Sequence, residues 1–237
     1  MPRFHLPPED WHAAALTGDE ARHLSQVLRG KAGDAITVFD GNGRRASAKV
    51  LEVSRDRVSL EIFEVVSPAP AQPRITLAQA IPKGKTMDLI VQKAVELGVA
   101  GIEPLVTRHT IVQPGDGKSE KWTRVALEAC KQCGQDTLPE ISPAVAFDTW
   151  IADTSKISGL KLIASLALGA QPMREVLRAH PATTEATILV GPEGDFSPEE
   201  TNAALATGFI PVSLGNIVLR VETASLFCIS ALRYEFA

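Results

Sequence analysis

No stretch of the 237 residues approaches the roughly 18–20 consecutive apolar positions of a membrane span. The opening MPRFHLPPEDWH also lacks the apolar core of a signal peptide. Together these absences predict a cytoplasmic protein. Cysteine is scarce, and Cys130, Cys133 and Cys228 are an odd number that lays out no disulfide framework. Cys130 and Cys133 form a CxxC, but there is no second Cys/His pair at a spacing that would complete four zinc ligands. On a helix, three residues apart, one or both thiols are expected to face a core, and no metal is expected. The five histidines form no HxxxH or HxH, and no GxSxG elbow or GxGxxG fingerprint is present. Aromatics are few, at 5% with a single tyrosine, so base stacking on aromatic platforms is a minor route to any nucleic acid.

The composition otherwise suits a folded chain, with 45% hydrophobic and 22% charged residues. Net charge is −4, which by itself does not mark a nucleic-acid binder. Its distribution says more. Residues 74–131 carry nine Lys+Arg against six Asp+Glu (+3), residues 132–237 six against twelve (−6), and residues 1–73 nine against ten (−1).

The segment SPAPAQP, 67–73, has three prolines in seven residues and reads as a linker. Before it, AITVFD (35–40), RRASAKVLEV (44–53) and RVSLEIFEVV (57–66) read as strands, with GNG at 41–43 turning the first hairpin. DEARHLSQVLR (19–29) reads as one amphipathic helix with Ala21, Leu24, Val27 and Leu28 on one face. After the linker, strands are predicted at 74–81, 102–106, 161–165, 187–190 and 209–214. Helices are predicted at 86–97, 122–132, 172–179, 198–207 and 223–235. Such alternation indicates a parallel α/β sheet. The organisation is thus a small β-rich domain over 1–70 and an α/β domain over 71–237.

AQAIPKGKT, 78–86, ends like a phosphate-binding loop, but Gln79 stands where the first glycine belongs and Pro82 removes an N–H donor. A nucleotide-triphosphate site is therefore disfavoured, and Lys83 and Lys85 remain as a basic pair beyond a strand end. The sharper signal is LVGPEGDFSPEE, 189–200. A strand enters the turn Gly191-Pro192-Glu193-Gly194, and Ser197-Pro198-Glu199-Glu200 then opens a helix with a capping box and proline at its first position. Such junctions commonly bind phosphate. Here the turn carries Glu193 and Asp195 and no cation. A second turn, LGNIVLRVETAS (214–225), leaves the next strand through Gly215-Asn216 and reaches Arg220 and Glu222 at the start of the last helix. Open α/β sheets place ligands at the carboxyl ends of their strands. Backbone at glycines, apolar flanks at Leu214, Ile217 and Leu219, and acidic neighbours suit a neutral or cationic ligand. A nucleoside bearing a sulfonium is such a ligand.

At these residues the chain resembles the RsmE family, the uridine-N3 methyltransferases of small-subunit ribosomal RNA, within the SPOUT class of S-adenosylmethionine enzymes. The resemblance is carried by HLSQVLR (23–29), KGKTMDLIVQKAVELGVAGIEPL (83–105), EACKQCGQDTLPEI (128–141) and the two turns, in that order over nearly the whole chain. It implies a PUA-like amino-terminal RNA-binding domain, a carboxy-terminal α/β domain with a trefoil knot, and a homodimer. It further implies methylation of N3 of a specific uridine in 16S rRNA, on the small ribosomal subunit. The donor contacts it implies are Leu166, Val190, Gly191, Pro192, Glu193, Gly194, Leu214, Gly215, Asn216, Ile217, Val218, Leu219 and Arg220. Arg220 is the candidate for stabilising a uridine anion, with Glu222 as base or as orienter of Arg220. RNA contacts are expected from Arg22, His23 and Arg29 on the amino-terminal helix and from Lys83 and Lys85. Four positions depart from the family pattern: Asp195 where glycine is usual, Gln135 and Thr137 where arginines are usual, and Val221 where threonine is usual. A same-class methyltransferase acting on another RNA, and a non-catalytic RNA-binding or assembly protein, are the alternative readings.

Overall fold

The computed structural model describes residues 1–111, 115, 117–153, 157–167 and 169–236. The chain divides into two compact units. One is Met1–Pro70 with Leu127–Leu138, and the other is Ala71–Ala126 with Pro139–Ala237.

The first unit is a five-stranded sheet. Its strands are β1 (Arg3–His5), β2 (Ala15–Thr17), β3 (Ala35–Phe39), β4 (Arg45–Val53) and β5 (Arg57–Val66), in the order β1-β3-β4-β5-β2. Period-2 alternation buries Ala46, Ala48 and Val50 of β4 against Phe4, Leu16, Leu24, Ile36 and Val38. The expected β3–β4 hairpin is present. Gly41 and Gly43 take φ of +80° and +98°, and Asp40 Oδ1 accepts the N–H groups of Asn42 (2.8 Å) and Arg44 (3.0 Å).

The expected single helix over 19–29 is instead a short α1 (Gly18–Arg22) running into a π turn, His23–Val27. The extra residue of a π turn rotates the next residues by roughly 100° about the axis. Accordingly Ala21 and Leu24 are buried, whereas Val27 and Leu28 face solvent at 69% and 47% exposure. Residues Leu127–Leu138 join this unit through buried charge. Asp136 accepts hydrogen bonds from Arg3 and Arg45, both at 2.7 Å, Lys131 pairs with Glu20 at 2.6 Å, and the Leu138 N–H donates to the Gly41 carbonyl. Gln135 and Thr137 flank that aspartate.

The second unit carries an eight-stranded sheet in which every pairing is parallel. Its strands are β6 (Arg74–Ala80), β7 (Gly101–Val106), β8 (Glu140–Ile141), β9 (Val145–Ala146), β10 (Leu160–Ala164), β11 (Gln171–Pro172), β12 (Glu185–Val190) and β13 (Ile210–Ser213). The order is β11-β13-β10-β12-β6-β7-β8, with β9 also on β7. Helices α2 (Thr86–Glu96), α4 (Phe147–Ala152), α5 (Met173–Ala179) and α6 (Pro198–Ala206) lie between its strands, α7 (Val221–Phe236) follows β13, and α3 (Lys118–Cys133) starts in this unit while its residues from Leu127 on belong to the first. Strand β12 is buried from Ala186 onward, as a central parallel strand covered on both faces must be. Phe147 and Trp150 of α4, Phe196 and Phe209 form an aromatic cluster with centroids 5.7–6.3 Å apart. Arg233 near the end of α7 donates to the carbonyls of Leu97, Gly98 and Pro73, fixing α7 against the exit of α2. Among the described residues no helix is long and apolar enough to cross a membrane.

Candidate active site

Strands β13, β10 and β12 are parallel neighbours, so their carboxyl ends emerge side by side. The three loops they feed enclose a cavity of about 500 Å³. The loop after β10 contributes Ser165 and Leu166, the turn after β12 Gly191, Pro192, Glu193 and Asp195, and the loop after β13 Leu214, Gly215 and Ile217 through Arg220. Thr86, Val221, Glu222 and Ala224 complete the wall. The fold thus brings Leu166, Val190–Glu193, Leu214, Gly215, Ile217, Val218, Leu219, Arg220 and Glu222 together. Gly194 and Asn216 do not line the cavity.

The local chemistry explains the shape. Gly191 is tightly surrounded: a Cβ there would lie 3.0 Å from Asp195 Oδ1 and 3.2 Å from the Phe196 ring, so both would have to give by a few tenths of an ångström. Gly194 is equally confined, 3.1 Å from the Cβ of His109, so its lack of a side chain serves packing. Gly215 takes φ +126°, which glycine supplies without strain. Helix α6 begins with the expected capping box. Glu200 donates its N–H to Ser197 Oγ at 3.2 Å and its carboxylate accepts the Ser197 N–H at 2.9 Å.

Beneath both turns lies Gln79, fully buried. Its amide donates to the carbonyls of Ala80 and Val190, and its Oε1 meets the buried hydroxyl of Ser225 on α7. The residue that spoils a phosphate loop in the sequence therefore ties β6, β12 and α7 together under the cavity.

The acidic residues of the first turn have local partners. Glu193 Oε1 accepts the Lys83 N–H at 3.0 Å, and Asp195 Oδ1 accepts the Phe196 N–H at 2.8 Å. Their charge remains at the cavity, where Glu193, Asp195 and Glu222 stand against one guanidinium, that of Arg220. Among the described residues no ion pair joins Arg220 to Glu222, and no protein acceptor takes the N–H groups of Ile217, Val218 or Leu219. Leu166, Ile217 and Val218 expose 64%, 73% and 76% of their surface at this rim. Free main-chain donors, apolar side chains and a net acidic lining fit a ligand with a flat apolar ring system, hydrogen-bonding edges and positive charge.

In the first unit, Arg22 is exposed beside Asp19 (3.5 Å) and Asp56 (3.6 Å). His23 stands edge-on to Phe4, and Arg29 is exposed at φ +54°. Lys83 and Lys85 are exposed in the second unit, beyond the end of β6. Of the CxxC pair, Cys130 is buried, with its thiol aimed at the Thr137 carbonyl, and Cys133 is exposed. Burial pushes the Cys130 thiol up to about 12, as it does that of Cys228. Among the described residues no group of three or more His, Cys, Asp or Glu is placed to hold a metal ion.

Comparison with known proteins gives the site its class. Residues 69–233 match the family model described as RNA methyltransferase domain, and residues 16–63 match the RNA methyltransferase PUA domain. This fold and site define an RNA methyltransferase. Ribosomal RNA small subunit methyltransferase E of Synechocystis is 31% identical over 88% of this chain and 69% of its own length. The Bacillus subtilis protein of that name is 27% identical over 93% and 90%. The crystal structure of the Neisseria gonorrhoeae methyltransferase E, bound to S-adenosyl methionine, superposes with a TM-score of 0.89 at 32% identity, covering 100% of this chain and 98% of that one. The chain belongs to the ribosomal RNA small subunit methyltransferase E family.

Proposed function

We propose that this protein transfers a methyl group from S-adenosylmethionine to N3 of a specific uridine in 16S rRNA, with the donor in the cavity between the β12 and β13 turns. The observation that carries the reading is the meeting of three strand ends around an acidic lining and main-chain N–H groups that have no protein acceptor among the described residues. Bound there, S-adenosylmethionine supplies an electrophilic methyl on a sulfonium, which becomes a neutral thioether as the N3–CH₃ bond forms and the S–CH₃ bond breaks.

The residues of this chain then have three tasks. The two turns hold the donor so that attack is in line, which converts a bimolecular encounter into a positioned one. Arg220, at the cavity rim and in no ion pair among the described residues, stabilises the negative charge that uridine develops at O2 or O4 when N3 loses its proton. Glu222, two residues on at the start of α7, accepts that proton or orients Arg220. Each unit by which the N3 pKa falls corresponds to about 1.4 kcal/mol.

Arg22, His23, Arg29, Lys83 and Lys85 contact the RNA in this reading, and the active form is a homodimer. Exposed Phe227 and Tyr234 on α7, at 45% and 89%, favour such pairing, and sedimentation at micromolar concentration distinguishes dimer from monomer.

The test is transfer of labelled methyl from S-adenosylmethionine to small ribosomal subunits, followed by nucleoside analysis. N3-methyluridine is expected. Label on another base, or none, contradicts the reading. Arg220→Ala should abolish transfer while donor affinity, measured by calorimetry, stays within a few-fold. Full activity in that variant removes Arg220 from its role.

A further inference from the structure

The first turn of the cavity is gripped from outside by groups that do not line it. His109, in the loop after β7, donates its Nδ1–H to the Asp195 carbonyl at 2.9 Å, since a carbonyl oxygen can only accept. The same side chain lies against Gly194 so closely that a Cβ there would stand 3.1 Å from it. The loop that presents His109 is itself pinned. The Thr107 N–H donates to Thr110 Oγ1 at 2.9 Å, and the two buried hydroxyls lie 2.9 Å apart. The Arg108 N–H donates to Glu200 Oε1 at 2.8 Å. Glu200 is thus shared between the capping box of α6 and the loop carrying His109, and it holds the two in fixed register.

This grip restrains a residue in an unfavourable conformation. Asp195 takes φ +58°, a left-handed backbone that a residue with a Cβ populates reluctantly. Its N–H closes a turn onto the Pro192 carbonyl at 2.9 Å, and its side chain forms part of the cavity wall. If Asp195 relaxed, the Pro192–Asp195 wall would move with it.

We infer that His109 is a positioning residue for methyl transfer: its hydrogen bond to the Asp195 carbonyl holds the first turn in the shape that binds the methyl donor. The inference rests on the reading of this cavity as the donor site. His109 touches neither donor nor uridine in it. It raises the fraction of molecules whose turn is competent, and apparent affinity scales with that fraction.

The test is calorimetry of the full-length protein with S-adenosylmethionine, beside thermal unfolding and steady-state kinetics. If the unmodified protein binds no donor, the reading of the cavity fails before His109 is in question. Given binding, His109→Leu, which keeps bulk and removes the donor, should weaken affinity about three- to tenfold, as expected for one hydrogen bond. The KM for S-adenosylmethionine should rise by the same factor while kcat at saturation stays within about twofold. His109→Asn, whose amide N–H can reach the same carbonyl, should restore donor affinity to within about twofold of the unmodified protein. If the leucine variant does not fold, His109→Gln displaces the donor by one bond and carries the same expectation. Unmodified affinity in the leucine or glutamine variant overturns the inference. So does equal weakening in the leucine and asparagine variants that tracks their loss of melting temperature, because bulk rather than the hydrogen bond would then be at work.

Discussion

Asp195 shows how much one backbone angle asks of one side chain. Left-handed φ costs a non-glycine residue about 1–2 kcal/mol, and aspartate lowers that cost by bonding its own neighbourhood, here the Phe196 N–H. Asp195→Ala keeps the strain and loses the bond, so it should lower unfolding free energy by about 1–2 kcal/mol in urea titrations. Asp195→Gly removes both and should cost less than the alanine change. Equal effects would contradict this assignment of strain.

The buried thiols allow a second prediction at this scale. Cys130 and Cys228 are raised from 9.0 to about 12 by burial, so the native state keeps protons that the unfolded chain releases. Their contribution to stability is complete below pH 9 and is lost progressively as pH climbs toward 12. A thiol reagent at pH 8 should accordingly label exposed Cys133 and leave the other two intact, as read by mass spectrometry.

Among the elements, α6 is the one whose start the sequence spells out. Ser197-Pro198-Glu199-Glu200 predicts a capping box, and the structure contains it. Ser197→Ala should cost about 1 kcal/mol, in line with other caps. Glu200→Ala should cost more, because it also strands the Arg108 N–H; the two are compared by thermal unfolding. A smaller loss for Glu200→Ala would count against the shared carboxylate.

Five of the eight parallel strands, β6, β7, β10, β12 and β13, were legible as apolar runs, whereas β8, β9 and β11, two residues each, are too short to carry a pattern. The hairpin at Gly41–Gly43 was legible because its turn demands glycine. Helix α4 was not, since its six residues make fewer than two turns, too few for a repeat to stand out, and its Phe147 and Trp150 declare themselves only in the aromatic cluster. The π turn at His23–Val27 escaped because periodicity through it still reads as a helix. At the cavity, residues of the β12 and β13 turns could be picked out by their glycines and chain order. Leu166 came through the resemblance alone, and Thr86 and Ser165 carry no sequence signal. In the sequence Glu193 and Asp195 read only as company for a cation. Their bonds to the Lys83 and Phe196 N–H groups depend on pairs that only the fold brings together or on a turn geometry that spacing does not reveal.

For the whole molecule, charge is the property that matters for a polyanionic substrate. A net −4 does not draw RNA at long range, so binding must rely on local cations. Arg22 lies in ion pairs with two exposed aspartates, each worth about 0–1 kcal/mol, which phosphate can readily displace. Reversing charge at Arg22 and Arg29 together should weaken binding to small-subunit rRNA and flatten its salt dependence. Unchanged affinity and slope would put the RNA path elsewhere. The most direct measurement of all is a crystal of this protein soaked with S-adenosylmethionine. Density for the donor is expected between the turn at Val190–Asp195 and the loop at Leu214–Arg220, against the N–H groups of Ile217, Val218 and Leu219. Ordered donor elsewhere, with both turns bare, would contradict the assignment of the site.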